Sequence, residues 1–190
     1  VFDGFSGEVL ILSGDVPLIK EATLRAMVDR HRSRQAAVTL LTAALDRPQG
    51  YGRVVRDASG RVTGIVEEKD ASEGQRQIGE VNAGVYVASS AFLFAALGAV
   101  KNDNRQGEYY LPDIVAIGLA QGKTIETVQA ADAREMMGVN TKEELAFMEK
   151  SLRESINRQW MLAGVTLKDP DTTYIDEGVT IGKDTVIGPN

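Results

Sequence analysis

Apolar residues along the first 140 positions switch between the period of a β-strand and that of an α-helix. Short apolar, β-branched runs typical of buried strands occupy Val9–Leu12 and Ala37–Leu45. Between them, Ile19–Arg34 spaces its apolar residues as an amphipathic helix does. This order of strand, helix and strand predicts a βαβ unit and therefore an α/β fold. His31, flanked by arginines near the end of that helix, is expected at the surface and outside any catalytic role.

The pattern predicts further elements up to residue 162. They are a hairpin of Tyr51–Asp57 and Arg61–Lys69, a loop over Ala71–Gly79, a third strand in Glu80–Ser89, helices over Ala91–Val100 and Glu108–Gly122, a strand over Thr124–Val128, and a long helix over Thr141–Leu162. Thr141 and Glu144 have the spacing of a capping box, so the last helix should begin at that threonine.

The tail has a different period. Ile175, Ile181 and Ile187 recur every six residues, and a glycine follows the second and the third. Short strands that each present one inward aliphatic residue are what a hexapeptide-repeat β-helix requires. An ordinary turn between two strands is the alternative.

The first strand ends at Ser13-Gly14 and is followed by Asp15. Ligands of open α/β sheets collect where strands reach their carboxyl ends, so Asp15 is a candidate ligand-binding residue. Asn140 follows the strand over Thr124–Val128 and precedes the last helix. Asp and Asn oxygens on two loops of one crevice are hard ligands that Mg²⁺ accepts together with water and phosphate. The alternative for both residues is a role in a turn or a helix cap.

The hairpin and the third strand carry a second group of candidates. Glu67 and Asn82 could bind the hydroxyl groups of a sugar, and Gly52 would let backbone approach a ligand closely. A solvated strand charge for Glu67 and a bulge or turn for Gly52 are the structural alternatives.

Charge and composition exclude some classes of partner. The net charge is −6, and no basic tract offsets it, which argues against non-specific binding to nucleic acid or anionic membranes. The chain has no Cys and no apolar run near 20 residues, as is typical of a cytoplasmic protein. It begins without Met and stops within the hexad pattern, so we expect it to be a piece of a longer protein.

Several strings resemble bacterial bifunctional N-acetylglucosamine-1-phosphate uridyltransferase/glucosamine-1-phosphate acetyltransferases, the GlmU family. The strings are L-I-L-S-G-D-V-P-L-I (Leu10–Ile19), G-Y-G-R-V (Gly50–Val54), G-I-V-E-E-K-D-A (Gly64–Ala71), E-V-N-A-G-V-Y (Glu80–Tyr86), N-R-Q-G-E-Y-Y-L-P-D-I (Asn104–Ile114) and G-V-N (Gly138–Asn140). Related sugar-1-phosphate nucleotidyltransferases commonly have Glu-Lys-Pro where this chain has Glu67-Glu68-Lys69-Asp70, which favours the bifunctional family.

The resemblance implies roles for individual residues. Asp15 and Asn140 match the pair that holds the catalytic Mg²⁺, and Gly52, Glu67 and Asn82 match contacts to the sugar nucleotide. Ser13 and Gly14 match the Tyr-Gly that usually precedes the metal-binding Asp. Ser13 departs from that pattern, so here only a backbone contact is expected of it.

The resemblance also implies an architecture. It places the C-terminal part of a Rossmann-like uridyltransferase domain at residues 1–140, a linking helix at 141–163 and the first coils of a left-handed β-helix acetyltransferase domain at 164–190. The family's glycine-rich nucleotide loop and its acetyltransferase residues match nothing in this sequence. The 190-residue chain alone is therefore expected to be inactive.

For the parent protein the resemblance implies a homotrimer that uses UTP and N-acetylglucosamine 1-phosphate to make UDP-N-acetylglucosamine. Acetyl-CoA is the implied co-substrate of the second activity. Two alternatives stay open: a sugar-1-phosphate nucleotidyltransferase specific for another nucleotide, and a non-catalytic module for sugar-phosphate binding or trimer assembly.

Overall fold

The computed structural model describes residues 4–189, which form two compact units divided between Met137 and Gly138. In the first unit the strands are β1 (Glu8–Ile11), β2 (Val38–Ala44), β3 (Arg53–Arg56), β4 (Val62–Val66), β5 (Glu80–Ser89) and β6 (Ile125–Gln129). Its helices are α1 (Glu21–Ser33), α2 (Glu73–Arg76), α3 (Ser90–Leu97), α4 (Asp113–Ala120) and a 3₁₀ helix, Ala133–Met136. The second unit contains α5 (Lys142–Leu162), β7 (Thr166–Leu167) and β8 (Val186–Ile187).

The first unit is built on a mixed sheet in which β5 is central. Within the described residues the strand order is β4-β3-β5-β2-β6, and β1 also pairs with β5. Strand β5 is antiparallel to β1, β2 and β3, whereas β2 and β6 are parallel. Since β1 and β2 both oppose β5, they run in the same direction and α1 connects them. The predicted βαβ order is confirmed, with an antiparallel strand inserted between its two strands.

Helices cover both faces of the sheet. One core cluster joins Val38, Leu40 and Tyr86 to residues of α3 and α4, and the other joins Leu41 and Val81 to Met27 of α1. Successive residues of a strand point to opposite faces, so β2 contributes to both clusters and is buried almost throughout.

One edge of β5 opens into a gap, which we call the split. Residues Tyr86–Ser89 pair with β1, and Val81 pairs with Arg53 at the start of β3. Residues 82–85 of β5 pair with neither strand. On the other edge of β5, Leu40 faces Tyr86 but Thr42 faces Asn82, so two residues of β2 span four of β5. This bulge contains Gly84, whose φ of +71° is a left-handed conformation that favours glycine.

Four expectations for the first unit were wrong. Strand β1 is only half-buried, with Leu10 39% exposed, because it pairs on one side alone among the described strands. Residues 71–79 contain the one-turn helix α2, which Ser72 caps. Helix α4 starts at Asp113, after Pro112, because proline lacks the N–H of a helix interior and restricts the residue before it. His31 is 3% exposed, and its Nδ1 lies 3.1 Å from Thr39 Oγ1.

In the second unit the predicted capping box is confirmed. The Thr141 side chain accepts a hydrogen bond from Glu144 N–H, and Glu144 Oε2 accepts one from Thr141 N–H. After α5, strands β7 and β8 pair in parallel, with Thr166 opposite Val186 and Leu167 opposite Ile187. Asn157 of α5 donates from Nδ2 to the carbonyls of Pro170 and Thr173, which fixes the intervening loop to the helix. None of the helices in the described part of the chain is long and apolar enough to cross a membrane.

Candidate functional site

Asp15 lies where the pattern predicts, in a turn just beyond the carboxyl end of β1. Its side chain is exposed, as is Gly14 beside it. Ser13, one residue earlier, turns its hydroxyl toward β5 and donates to the carbonyl of Gly84 at 3.2 Å. The loop that carries Asp15 is therefore fastened to the bulge at the split.

Gly52 and Glu67 lie against each other on the opposite side of the split. Gly52 precedes β3 and Glu67 follows β4, and antiparallel pairing of these strands brings the two residues together. A methyl carbon placed on Gly52 would lie 2.9 Å from Glu67 Oε1, which is closer than real contacts allow. A side chain at position 52 would therefore force the Glu67 carboxylate to move from its present position.

Asn82 lies at one end of the bulge, opposite Thr42 of β2. Its backbone N–H donates to the Gly52 carbonyl at 2.8 Å, which joins β5 to the hairpin. Its side-chain Oδ1 accepts from Gly84 N–H at 3.3 Å, and its Nδ2 donates to the Tyr86 hydroxyl at 2.6 Å. A bulge or turn at Gly52 was the structural alternative to ligand contact, and the bulge observed in β5 is at Gly84.

The structure thus brings Ser13, Gly52, Glu67 and Asn82 to one place, the split between β1 and β3. Asn140 belongs to the second unit, where its backbone N–H donates to Glu144 Oε2 at 2.7 Å beside the capping box. This bond comes from the backbone, as it could at any residue other than proline, so it assigns no role to the Asn140 side chain. Its pairing with Asp15 about a magnesium ion stays a prediction.

Glu67 is the electrostatically unusual residue of the split. Burial raises the pKa of its carboxyl group above the ordinary 4.5, and the negative charges of Asp70 and Asp113 raise it further. The Arg53 guanidinium acts in the opposite direction and lowers that pKa. A half-buried carboxylate that has no direct cationic partner among residues 4–189 is suited to accept hydrogen bonds from a neutral, hydroxyl-rich ligand.

Replacing Glu67 by glutamine should therefore stabilise the fold at neutral pH. A carboxyl group whose pKa is raised by folding binds its proton more tightly in the folded chain, so ionisation above pH 4.5 costs stability. We expect Glu67→Gln to increase the free energy of unfolding at pH 7 and to have no effect below about pH 4.5. Urea unfolding across this range measures it, with exposed Glu73→Gln as the control. A stability gain that is the same at every pH would contradict the explanation.

Two residues of the site were missed by the sequence interpretation. Arg53 is 1% exposed, and its guanidinium donates to Glu68 Oε2 at 2.6 Å and to the carbonyl of Tyr51. It thereby holds the neighbours of Gly52 and of Glu67. Tyr86 is also 1% exposed and bonds Asn82. The only available signal was the position of both residues inside the quoted strings, since nothing in a sequence marks a buried arginine or tyrosine as polar support.

Among residues 4–189 no group of three or more His, Asp or Glu side chains could hold a metal ion. Asp15 and Asn140 supply one carboxylate and one amide oxygen, both hard donors. Such a pair fits Mg²⁺, which keeps several waters and takes its other ligands from substrate phosphates.

A family model described as nucleotidyl transferase matches residues 1–165. The Bifunctional protein GlmU of Geotalea daltonii is 51% identical over 187 residues, and that of Geotalea uraniireducens is 54% identical over 187. Each match covers 98% of this chain and 41% of the relative. The GlmU protein of Geobacter sulfurreducens is 52% identical over 186 residues, which are 98% of this chain and 39% of the relative.

A solved structure supports the fold. The crystal structure of a protein described as a glucose-1-phosphate thymidylyltransferase from Bacillus anthracis, in complex with sucrose, matches with a TM-score of 0.55 at 17% identity. The match covers 74% of this chain and 52% of the other. The predicted Rossmann-like nucleotidyltransferase sheet is confirmed at the level of the fold.

The chain spans about two fifths of the length of the curated relatives. The resemblance to GlmU found in the sequence strings is confirmed by these identities. From the family match over residues 1–165, the chain belongs to the nucleotidyl transferase family.

Proposed function

We propose that this chain is part of a GlmU-type enzyme and supplies the sugar-binding side of its uridylyltransferase site. The observation that carries the proposal is the split in the sheet. It assembles Gly52, Glu67 and Asn82 from three separate stretches of a chain that is about half identical to GlmU proteins. The proposed reaction joins UTP and N-acetylglucosamine 1-phosphate to give UDP-N-acetylglucosamine and pyrophosphate.

In the proposed pocket each residue has a role that its surroundings permit. Glu67 accepts hydrogen bonds from sugar hydroxyl or amide groups, because its carboxylate lies beside Gly52 and pairs with no cation in the described part of the chain. The Asn82 amide is already bonded through both Oδ1 and Nδ2, and it binds the sugar with its second N–H and the second lone pair of its oxygen. The absence of a side chain at Gly52 keeps the entrance to Glu67 open.

The proposed transfer is an in-line displacement. An oxygen of the sugar phosphate attacks the α-phosphorus of UTP, and the bond from that phosphorus to the bridging oxygen of pyrophosphate breaks. The attacking phosphate is already ionised at neutral pH, so no residue has to remove a proton from it. Catalysis then depends on holding the reactants in line and offsetting their charge.

We propose Mg²⁺ as the cofactor, with Asp15 and Asn140 as its protein ligands. When bound, the ion would neutralise phosphate oxygens of both reactants. Asp15 contributes an exposed carboxylate from the loop that the Ser13 hydroxyl joins to Gly84. Gly14 adds no side chain to that loop, so the space beside it is open to a ligand.

For the second unit we propose a linking helix and the start of a left-handed β-helix, within the three-part division 1–140, 141–163 and 164–190. Parallel pairing of β7 with β8 supports this, because successive coils of a β-helix pair in parallel. The complete protein would then be a trimer whose β-helix also acetylates glucosamine 1-phosphate with acetyl-CoA. Its product would serve peptidoglycan and lipopolysaccharide precursor synthesis in the cytoplasm.

Kinetics of a Glu67 variant test the sugar pocket. In the complete protein that carries this chain, Glu67→Ala should raise the KM for N-acetylglucosamine 1-phosphate. Loss of a hydrogen bond to a charged group costs roughly 1.5–3 kcal/mol, which corresponds to about 10- to 150-fold. The KM for UTP should be unchanged, and exposed Glu73→Ala is the matched control. Equal KM values for the variant and the wild type would remove Glu67 from the site.

Substrate profiling tests the function itself. The complete protein is assayed for pyrophosphate release with each nucleoside triphosphate and N-acetylglucosamine 1-phosphate, and UTP is the expected donor. Preference for another nucleotide would favour another sugar-1-phosphate nucleotidyltransferase. Binding of the sugar phosphate without turnover would favour a non-catalytic binding or assembly module.

The isolated 190-residue chain provides a further check. It spans about two fifths of the GlmU relatives, and we expect it to catalyse neither uridylyl nor acetyl transfer by itself. Pyrophosphate release by the purified chain at a rate near that of the complete protein would show that its residues already form the whole site.

A further inference from the structure

Tyr86 is a buried polar residue that the proposed reaction does not use. It lies in β5 within the core cluster that faces α3 and α4, and it is 1% exposed. Its hydroxyl oxygen accepts a hydrogen bond of 2.6 Å from Asn82 Nδ2. A phenylalanine would fill the same space, so packing alone does not explain the hydroxyl group at this position.

Tyr86 and Gly84 together hold the Asn82 amide from both ends. Gly84 N–H donates to Asn82 Oδ1, and Asn82 Nδ2 donates to Tyr86. Turning the amide over would place its NH₂ group against Gly84 N–H, which is a contact between two donors. The backbone therefore selects the amide orientation, and the Tyr86 hydroxyl fixes the side chain in the split.

This arrangement belongs to a longer series of bonds. Ser13 Oγ donates to the Gly84 carbonyl, so the loop bearing Asp15 is linked through Gly84 and Asn82 to Tyr86. Tyr86 is the buried end of this series. Burial raises the pKa of its hydroxyl group and the charge of Glu67 raises it further, against the bond from Asn82, which lowers it. The phenol consequently stays neutral and accepts from Asn82 at any pH at which an assay is practicable.

We propose that Tyr86 is a positioning residue, which fixes the Asn82 side-chain amide in the split and thereby sets affinity for the sugar phosphate. The inference rests on the proposed function for its second part, the effect on affinity. Its first part, the fixing of the amide, is a property of this chain alone.

Tyr86→Phe tests the first part because it removes one oxygen and keeps the ring. In the ¹⁵N-labelled 190-residue chain, the Asn82 side-chain NH₂ signal is identified by its absence in Asn82→Asp. Tyr86→Phe should shift that signal and speed its hydrogen exchange at least about 5-fold, which is the factor that corresponds to the loss of a buried hydrogen bond of roughly 1 kcal/mol. Tyr174→Phe, which keeps the ring that lies over Arg153 in the second unit, should leave the signal unchanged.

Kinetics of the complete protein test the second part. Tyr86→Phe should raise the KM for N-acetylglucosamine 1-phosphate about 3- to 10-fold and leave kcat and the KM for UTP within about twofold. An Asn82 signal that does not respond, or an unchanged KM for the sugar phosphate, overturns the inference. A wild-type protein that transfers no uridylyl group overturns the proposed function instead. The Asn82 signal separates the two failures, because it needs no substrate.

Discussion

Replacing Asp15 by alanine in the complete protein is expected to reduce uridylyl transfer at least about 100-fold. Even residues that only support a metal ligand typically cost 10- to 100-fold when they are removed, and Asp15 is proposed as a ligand itself. The carboxylate is exposed in the turn after β1, so its loss should leave the free energy of unfolding within about 0.5 kcal/mol of wild type. Asp15→Ala should therefore lose activity while its free energy of unfolding stays near that of the wild type.

Two further variants make the Asp15 test specific. Asp15→Asn keeps the size and one oxygen but loses the charge, and it should also be strongly impaired and should need more Mg²⁺ for half-maximal rate. Asp29→Ala, at an exposed position of α1, is the control for loss of a surface carboxylate and should behave as wild type. Wild-type turnover by Asp15→Ala would exclude the metal assignment.

Gly84→Ala is expected to have the largest effect on stability of any change at the split. The alanine would have to adopt a φ of +71°, and its Cβ would lie 2.8 Å from Ser13 Oγ. Strain of this kind costs of order 1–3 kcal/mol. The same shift would disturb the bond from Gly84 N–H to Asn82 Oδ1, so the KM for the sugar phosphate should rise as well.

Two further variants separate the effect of backbone strain on stability from the effect of the close contact with Ser13. Gly60→Ala also requires a positive φ, +84°, but its Cβ would meet nothing within 4 Å, so it reports backbone strain alone. The double variant Ser13→Ala/Gly84→Ala removes the close contact. It should therefore regain the stability that Gly84→Ala loses beyond the loss caused by Gly60→Ala. Urea unfolding measures all four proteins, Ser13→Ala alone included. If Gly84→Ala is no more destabilising than Gly60→Ala, the bulge does not depend on the contact with Ser13.

The sequence predicts an element well when the signals for its start and end lie within the element or directly beside it. Strand β5 begins and ends at the expected residues because its apolar run is bounded by polar ones. Helix α5 starts as expected because Thr141 and Glu144 cap it locally. By contrast, the burial of His31 in α1 depends on its packing against Thr39 of β2, and a helical pattern contains no information on that partner.

The site was predictable only in part, for the same reason. Asp15 could be placed because a strand end marks it locally. Gly52, Glu67 and Asn82 meet through the hairpin pairing and the bulge at Gly84. In that bulge four residues of β5 lie opposite two of β2, which is apparent only once the two strands are paired. Their selection therefore depended on the resemblance of the strings. The supporting roles of Arg53 and Tyr86 became apparent only from their burial and hydrogen bonds.

The most direct test of the central claim is a crystal structure of the complete protein with UDP-N-acetylglucosamine and Mg²⁺. The proposal predicts the N-acetylglucosamine ring in the split, with Glu67 and Asn82 within hydrogen-bonding distance of its polar groups and the Gly52 backbone against one face. It also predicts an ion bound by Asp15 and Asn140. A sugar bound away from the split between β1 and β3, with Glu67 facing solvent, would contradict the proposed function.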